Sequence, residues 1–292
     1  MTTITSRKPK NFSFIGFFRL IRFPNLLIIV FTQYMTAVFL VGKGEPALRY
    51  LLDFKLFLLT LSTALIAAAG YIINDYYDVK IDFINKPDQV VVGKILKRRV
   101  VMFSHTFLNF TGVLLGLFLG WKIFLINLFA AFLLWLYSND LKRRPFVGNL
   151  SVAVLTALSV GVLGIYYREQ DLIVLTYAFF AFGITLIREI IKDLEDMKGD
   201  AVHGCRTLPV IWGIRKTRKL LFILISAFLI ALFLMAGLSG KTILTTYFLI
   251  LLVPISLLLV KLFRADTQKV FAQLSFFCKL IILSGIISMI FF

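Results

Sequence analysis

The feature that most narrows what this chain can fold into is a succession of long apolar runs. Each approaches the ~20 residues that an α-helix needs to cross the hydrocarbon of a bilayer. Nine of them follow one another, over residues 23–41, 55–73, 100–118, 122–138, 147–166, 172–190, 219–237, 242–260 and 273–292. The runs are continuous rather than alternating with period two, which argues against a transmembrane β-barrel. The expected fold class is all-α, a polytopic membrane bundle of about nine transmembrane helices. Composition agrees, because 60% of the 292 residues are hydrophobic and only 16% are charged, against about 25% charged in soluble domains. Two cysteines, Cys205 and Cys278, with no C-x-x-C pair, exclude a disulfide scaffold and a zinc or redox motif.

The net charge of +17 first reads as a nucleic-acid footprint, but its distribution says otherwise. With the N-terminus inside, 26 of the 32 Lys and Arg fall on the inner side and 6 on the outer. This is the positive-inside bias of a membrane protein, so no nucleic-acid partner is expected. The expected location is the cell inner membrane, with the N-terminus and the larger basic loops cytoplasmic. Lys279 is counted inside because a lysine in the last helix can snorkel toward the interface. Residues 1–22 read as a basic cytoplasmic segment ahead of a retained first helix, and 1–292 as a single membrane-embedded domain. Gly112, Gly116 and Gly120 form a small-residue stripe of the kind that packs helices closely. Pro254 is expected to kink the eighth helix.

The acids are more informative than the bases. Nine of the 15 lie in two windows, 74–88 and 189–200, at the inner ends of the second and sixth helices. Both windows follow their apolar runs without a break, so the helices are expected to continue into them. Asn74, Asp78 and Asp82 are spaced by four and four, and Asp193, Asp196 and Asp200 by three and four, which places each set on one helix face. Like charges at those spacings repel and are best tolerated with a cation among them. Oxygen ligands without His or Cys favour a hard ion, Mg2+ before Zn2+. The proposed metal ligands are Asn74, Asp78, Asp82, Asp196 and Asp200. One such cluster could be a solvated helix end; two at equivalent ends of apolar spans point to function.

Lys80, Lys86 and Lys94 follow the first cluster, and Arg188, Lys192 and Arg206 surround the second. Beyond topology, such residues can bind phosphate oxygens, with Lys86, Lys192 and Arg206 nearest. Each half runs apolar helix, spaced acids, basic loop with Gly, basic residues and next helix. Asp78 and Asp196 are 118 residues and four helices apart. Parallel repeats about an axis along the membrane normal would bring both clusters to one central site.

These motifs resemble those of the UbiA-type intramembrane prenyltransferases. The N-D-x-x-D-x-x-x-D of Asn74 to Asp82 with Asn85-Lys86-Pro87 is similar to the first family signature. Asp196-x-x-x-Asp200 with Gly204-x-Arg206-Thr207-Leu208-Pro209 is similar to the second. Arg22-Phe23-Pro24-Asn25 and Tyr137-Ser138…Lys142…Gly148-Asn149 also look like family features. The resemblance covers nearly the whole chain and implies a bundle around a central cavity, with Mg2+ bridging a prenyl diphosphate between the clusters. It adds Arg22 as a diphosphate contact and Asn25, Tyr137, Ser138 and Lys142 as pocket residues. Gln89 departs from a family pattern that often has Arg there. The run Arg188 to Asp200 looks most like the branch that transfers geranylgeranyl groups to geranylgeranylglyceryl phosphate.

Mg2+ and the basic residues would neutralise the leaving diphosphate. An apolar cavity would hold the prenyl tail and exclude water. The faces of Tyr71, Tyr76, Trp135 or Tyr137 could stabilise an allylic cation. Asp75 or Asp193, outside the metal set, could take the acceptor proton. An aromatic prenyltransferase of the same family is the alternative, and a cation-coupled transporter the alternative from another class. A CDP-alcohol phosphotransferase is disfavoured because its D-G-x-x-A-R motif is absent. His105, His203 and Cys205 receive no role.

Overall fold

A computed structural model describes residues 13–85, 87–169 and 172–292. The helices in chain order are α1 (Phe14–Leu20), α2 (Phe23–Met35), α3 (Ala47–Leu51), α4 (Phe54–Asn85), α5 (Arg98–Leu119), α6 (Trp121–Asn139), α7 (Val147–Tyr167), α8 (Leu172–Val202), α9 (Leu208–Ser239), α10 (Thr242–Phe263) and α11 (Gln268–Ser288). A π-helical stretch, Thr36–Val41, continues α2. Among the described residues, nine helical segments are long and apolar enough to cross a membrane, matching the nine runs read from the sequence. The fold is all-α and the protein an integral membrane protein.

Helices α4 and α8 are the frame of the site. With 32 and 31 residues they are about 48 and 46 Å long at 1.5 Å per residue, well beyond a hydrocarbon core of about 30 Å. Their excess length is the acid-bearing part, so both clusters ride on continuous helix, as the spacing requires. The two helices pack against each other. α4 also packs on α2, α5 and α6, and α8 on α7, α9 and α11.

Polar side chains stitch this frame where backbone amides are already paired within helices. Buried Gln33 on α2 donates from Nε2 to Thr63 Oγ1 on α4 at 3.1 Å and to the Ser159 carbonyl on α7 at 2.8 Å. Buried Asn127 on α6 donates to Ser62 Oγ on α4 at 3.3 Å and to the Gly112 carbonyl on α5 at 3.2 Å. Interhelical bonds of this kind in membranes average about 0.6 kcal/mol each, so their value lies in fixing which faces meet. His105 Nδ1 lies 3.0 Å from the Ala69 carbonyl and ties α5 to α4.

The glycine stripe divides its work. Gly112 and Gly116 allow close approach, whereas Gly120, at φ 123°, makes the turn between α5 and α6. A Cβ on Gly116 would sit 2.8 Å from the Phe124 Cα, a backbone atom that cannot rotate away. Gly116→Val is therefore expected to destabilise by about 1–3 kcal/mol. A thermal unfolding midpoint in detergent unchanged from wild type would contradict this.

One span starts earlier than the sequence suggests. The seventh span starts at Leu208 rather than 219, because a helical turn lies on each side of Gly213, whose φ of 74° breaks the run between them. Pro254 lies inside α10, which continues through it.

Candidate functional site

Between α1 and α2 the chain turns at Arg22, which adopts the left-handed conformation at φ 50°. That costs a non-glycine residue roughly 1 kcal/mol and is offset by what the side chain reaches. Its Nη2 donates to Asp75 Oδ1 at 2.8 Å, and the guanidinium lies 5.0 Å from the Tyr71 ring centroid. Both partners belong to α4, so the turn pins a cation onto the helix that carries the first acid cluster.

Lys142, in the turn between α6 and α7, places its Nζ 2.6 Å from Asp78 Oδ1 and 3.4 Å from Asn74 Oδ1. An ammonium therefore already stands on the face that the i, i+4 spacing defined. Burial pulls this ammonium below the usual lysine range, while the attraction of Asp78 opposes the shift. On α8, Asp193 accepts from Asn149 Nδ2 at 2.8 Å, and Asp200 accepts from Thr207 Oγ1 at 3.3 Å. The two clusters share one space, since Asp82 feels the charge of Asp196 and Asp200 that of Asp78.

Next to the clusters, inside the bundle, lies a cavity of about 300 Å3. Its wall at the acid end is polar, with Arg22, Asn25, Asn74, Tyr137, Arg188, Glu189, Lys192 and Lys279. Deeper, it is lined by Ile28, Ile66, Leu134, Phe180, Ala181 and Ile282 among other largely apolar residues. Along α8 the lining runs from Tyr177 to Lys192, about 22 Å of helix axis. An apolar shaft thus opens onto a cationic mouth, a shape suited to a long hydrocarbon with an anionic head. Glu189 holds the mouth together: it pairs with Arg188, and its Oε2 is 3.5 Å from Lys192 Nζ.

The structure brings Arg22, Asn25, Asn74, Tyr137 and Lys192 to this wall. It places Asp75, Asp78, Asp82, Asp193, Asp196 and Asp200 on the same two helices beside or beyond it. Two expected contacts lie elsewhere. Ser138 is buried and bonds the Leu134 carbonyl of its own helix at 2.9 Å, the usual fate of a helical hydroxyl that reaches back four residues. The Arg206 side chain is exposed, while its amide bonds the Arg143 carbonyl at 2.8 Å. Lys86 lies outside the described residues. Lys279, read as a snorkelling lysine, instead faces the cavity and donates to Asn25 Oδ1 at 3.3 Å. Its only signal in the sequence is a lone cation within an apolar run. Cys205 is buried, which pushes its thiol up and makes it a poor nucleophile.

Among the described residues no three His, Cys, Asp or Glu side chains converge to hold a metal unaided. The donor set still fits a hard divalent ion of the Mg2+ type, which takes one or two carboxylates and completes its shell with phosphate and water. Lys142 on Asp78 shows that this carboxylate accepts a cation from the space beside it.

The model of the UbiA prenyltransferase family matches residues 29–281. The chain belongs to this family. It is thus a prenyltransferase, and the transporter alternative falls away. The chain is 35% identical over 207 residues to digeranylgeranylglyceryl phosphate synthase of Sulfurisphaera tokodaii, an alignment covering 69% of this chain and 71% of that one. Among solved structures, one concerning digeranylgeranylglyceryl phosphate synthase in membranes shares the fold at a TM-score of 0.70 and 24% identity, covering 94% of this chain and 96% of that one. A UbiA homologue from Archaeoglobus fulgidus bound to GPP and Mg2+ shares it at 0.65 and 19% identity, covering 94% and 99%. The helical architecture around the cavity is therefore that of the family.

Proposed function

We propose that this UbiA-family chain, acting as a single membrane-embedded domain, transfers a geranylgeranyl group from geranylgeranyl diphosphate to the hydroxyl of geranylgeranylglyceryl phosphate. Diphosphate is released and Mg2+ is the cofactor. The observation that carries this reading is the apolar shaft ending in a cationic mouth beside two facing acid clusters. The name borne by the Sulfurisphaera tokodaii relative supports the choice of acceptor.

Asn74, Asp78, Asp82, Asp196 and Asp200 would hold the metal, which supplies positive charge to the departing diphosphate. Arg22 and Lys192 orient the diphosphate from the mouth. The shaft aligns the prenyl chain so that its allylic carbon stops at the mouth, and its apolar wall keeps water from intercepting the allylic cation. Tyr71 and Tyr137 present aromatic rings to the developing positive charge. Asn25 helps to place the acceptor hydroxyl. The acceptor proton leaves after the C–O bond forms, toward Asp193, held by Asn149, or Asp75, held by Arg22. The 26 to 6 distribution of Lys and Arg favours a cytoplasmic N-terminus and a cytoplasmic acid end.

The test is an acceptor panel with labelled geranylgeranyl diphosphate and purified protein. Product is expected on geranylgeranylglyceryl phosphate and to depend on Mg2+. Product on hydroxybenzoate or naphthoate rings alone would replace the ether-lipid reading with the aromatic one.

A further inference from the structure

The mouth carries more cations than the donor reading uses. Four cations line it, Arg22, Arg188, Lys192 and Lys279, against one lining carboxylate, Glu189. Arg22 is turned to Asp75, and the diphosphate reading uses Arg22 and Lys192. Lys279 and Arg188 are left over.

Lys279 is the odd member of the set. Its hydrogen-bond partner is a neutral amide oxygen, Asn25 Oδ1 at 3.3 Å. The charges facing it are those of Arg188, Lys192 and Arg22 from α8 and the α1–α2 turn, with Glu189 as the opposing one. Arg188 in turn has a buried Nε with no hydrogen-bond partner among the described residues, although a guanidinium offers five N–H donors. Cations set among cations within a bilayer-spanning bundle are costly. An anion between them would relieve the repulsion and satisfy the idle donor.

The position differs from that of the acid clusters. Lys279 enters from α11, which packs on α8 and α2. Asp78 and Asp82 lie about 6 and 12 Å farther along α4 than Asn74. The chemistry also suits a particular anion. With Lys192 given to the diphosphate, Arg188 and Lys279 less Glu189 leave one net positive charge, and a phosphate monoester, negative at neutral pH, brings three strong acceptor oxygens to their donors.

We propose that Lys279 and Arg188, steadied by Asn25 and Glu189, form a second anion subsite that binds the phosphate of the lipid acceptor and selects phosphomonoester-bearing acceptors. This rests on the ether-lipid reading of the same cavity. Two anionic heads, diphosphate and phosphomonoester, would then sit at one mouth on different cations, with the acceptor hydroxyl between them.

The test measures equilibrium binding of geranylgeranylglyceryl phosphate, and of its dephosphorylated alcohol, to the full-length protein in detergent. Wild type is compared with Lys279→Met, which keeps the length of the side chain, and with Lys279→Arg. Donor binding is followed in parallel as a check on folding. Lys279→Met is expected to weaken the phosphorylated ligand at least tenfold. It should leave the alcohol and the donor within twofold, and Lys279→Arg should restore most of the loss. Equal loss for both acceptor ligands, a loss confined to the donor, or no loss at all would overturn the subsite. If wild type binds the phosphorylated lipid through Lys279 yet never prenylates it, the subsite stands and the ether-lipid function falls. If wild type prenylates it and Lys279→Met binds it unchanged, the function stands and the subsite falls.

Discussion

Asp78→Asn and Asp196→Asn, made singly, are each expected to lower turnover by about 10³-fold or more, a loss of about 4 kcal/mol of transition-state stabilisation. The two residues lie on different helices, yet their clusters feel one another's charge, so loss of either carboxylate would weaken the hold on the metal that would neutralise the departing diphosphate. Asparagine is chosen over alanine because Asp78 is the partner of Lys142, whose side chain is only 9% exposed. Removing one member of a buried pair costs 3–5 kcal/mol in stability, which would confuse a folding defect with a chemical one. The asparagine oxygen still accepts from Lys142. The measurement is single-turnover transfer over a Mg2+ titration, with the unfolding midpoint recorded beside it. Near-wild-type transfer in both variants would remove the two-cluster model.

What the sequence disclosed follows from how far each feature depends on contacts distant along the chain. The nine spans were legible because run length is a local property and the bilayer sets its threshold. The extension of α4 and α8 into the acids was legible for the same reason: carboxylates spaced four apart make sense only on continuing helix. The partners of those acids were not. Lys142 reaches Asp78 across 64 positions, and Arg22 reaches Asp75 across 53, so no local pattern announces either pair. Lys279 was misread because a lysine in the last helix can go to the interface or the interior, and only the packing of α11 on α8 and α2 decides. Ser138 sits beside Tyr137, but neighbouring helical positions point in directions about 100° apart, so one faces the cavity and the other its own backbone. The left-handed turn at Arg22 had no glycine to mark it, because its cost is met by contacts on another helix.

Ala181→Phe is expected to invert the choice of prenyl donor. Ala181 lines the shaft on α8, seven residues before Arg188 and so about 10 Å below the mouth along the helix axis. A phenyl ring there would close the deeper part of the shaft, beside Phe180 and the residues of α11 that line it, and leave the part next to the mouth open. A geranyl chain occupies only the upper part, whereas a geranylgeranyl chain must pass the blocked level. Its kcat/KM should fall by about 100-fold, the equivalent of roughly 2.7 kcal/mol, while that of geranyl diphosphate changes by less than fivefold. The head groups of the two donors are identical, so the cations and carboxylates of the mouth act on both alike. Their ratio therefore reports the shaft alone. An equal fall for both donors would mean that the ring has disturbed the packing around α8 rather than shortened the cavity. An unchanged preference would mean that the prenyl chain does not run down this shaft.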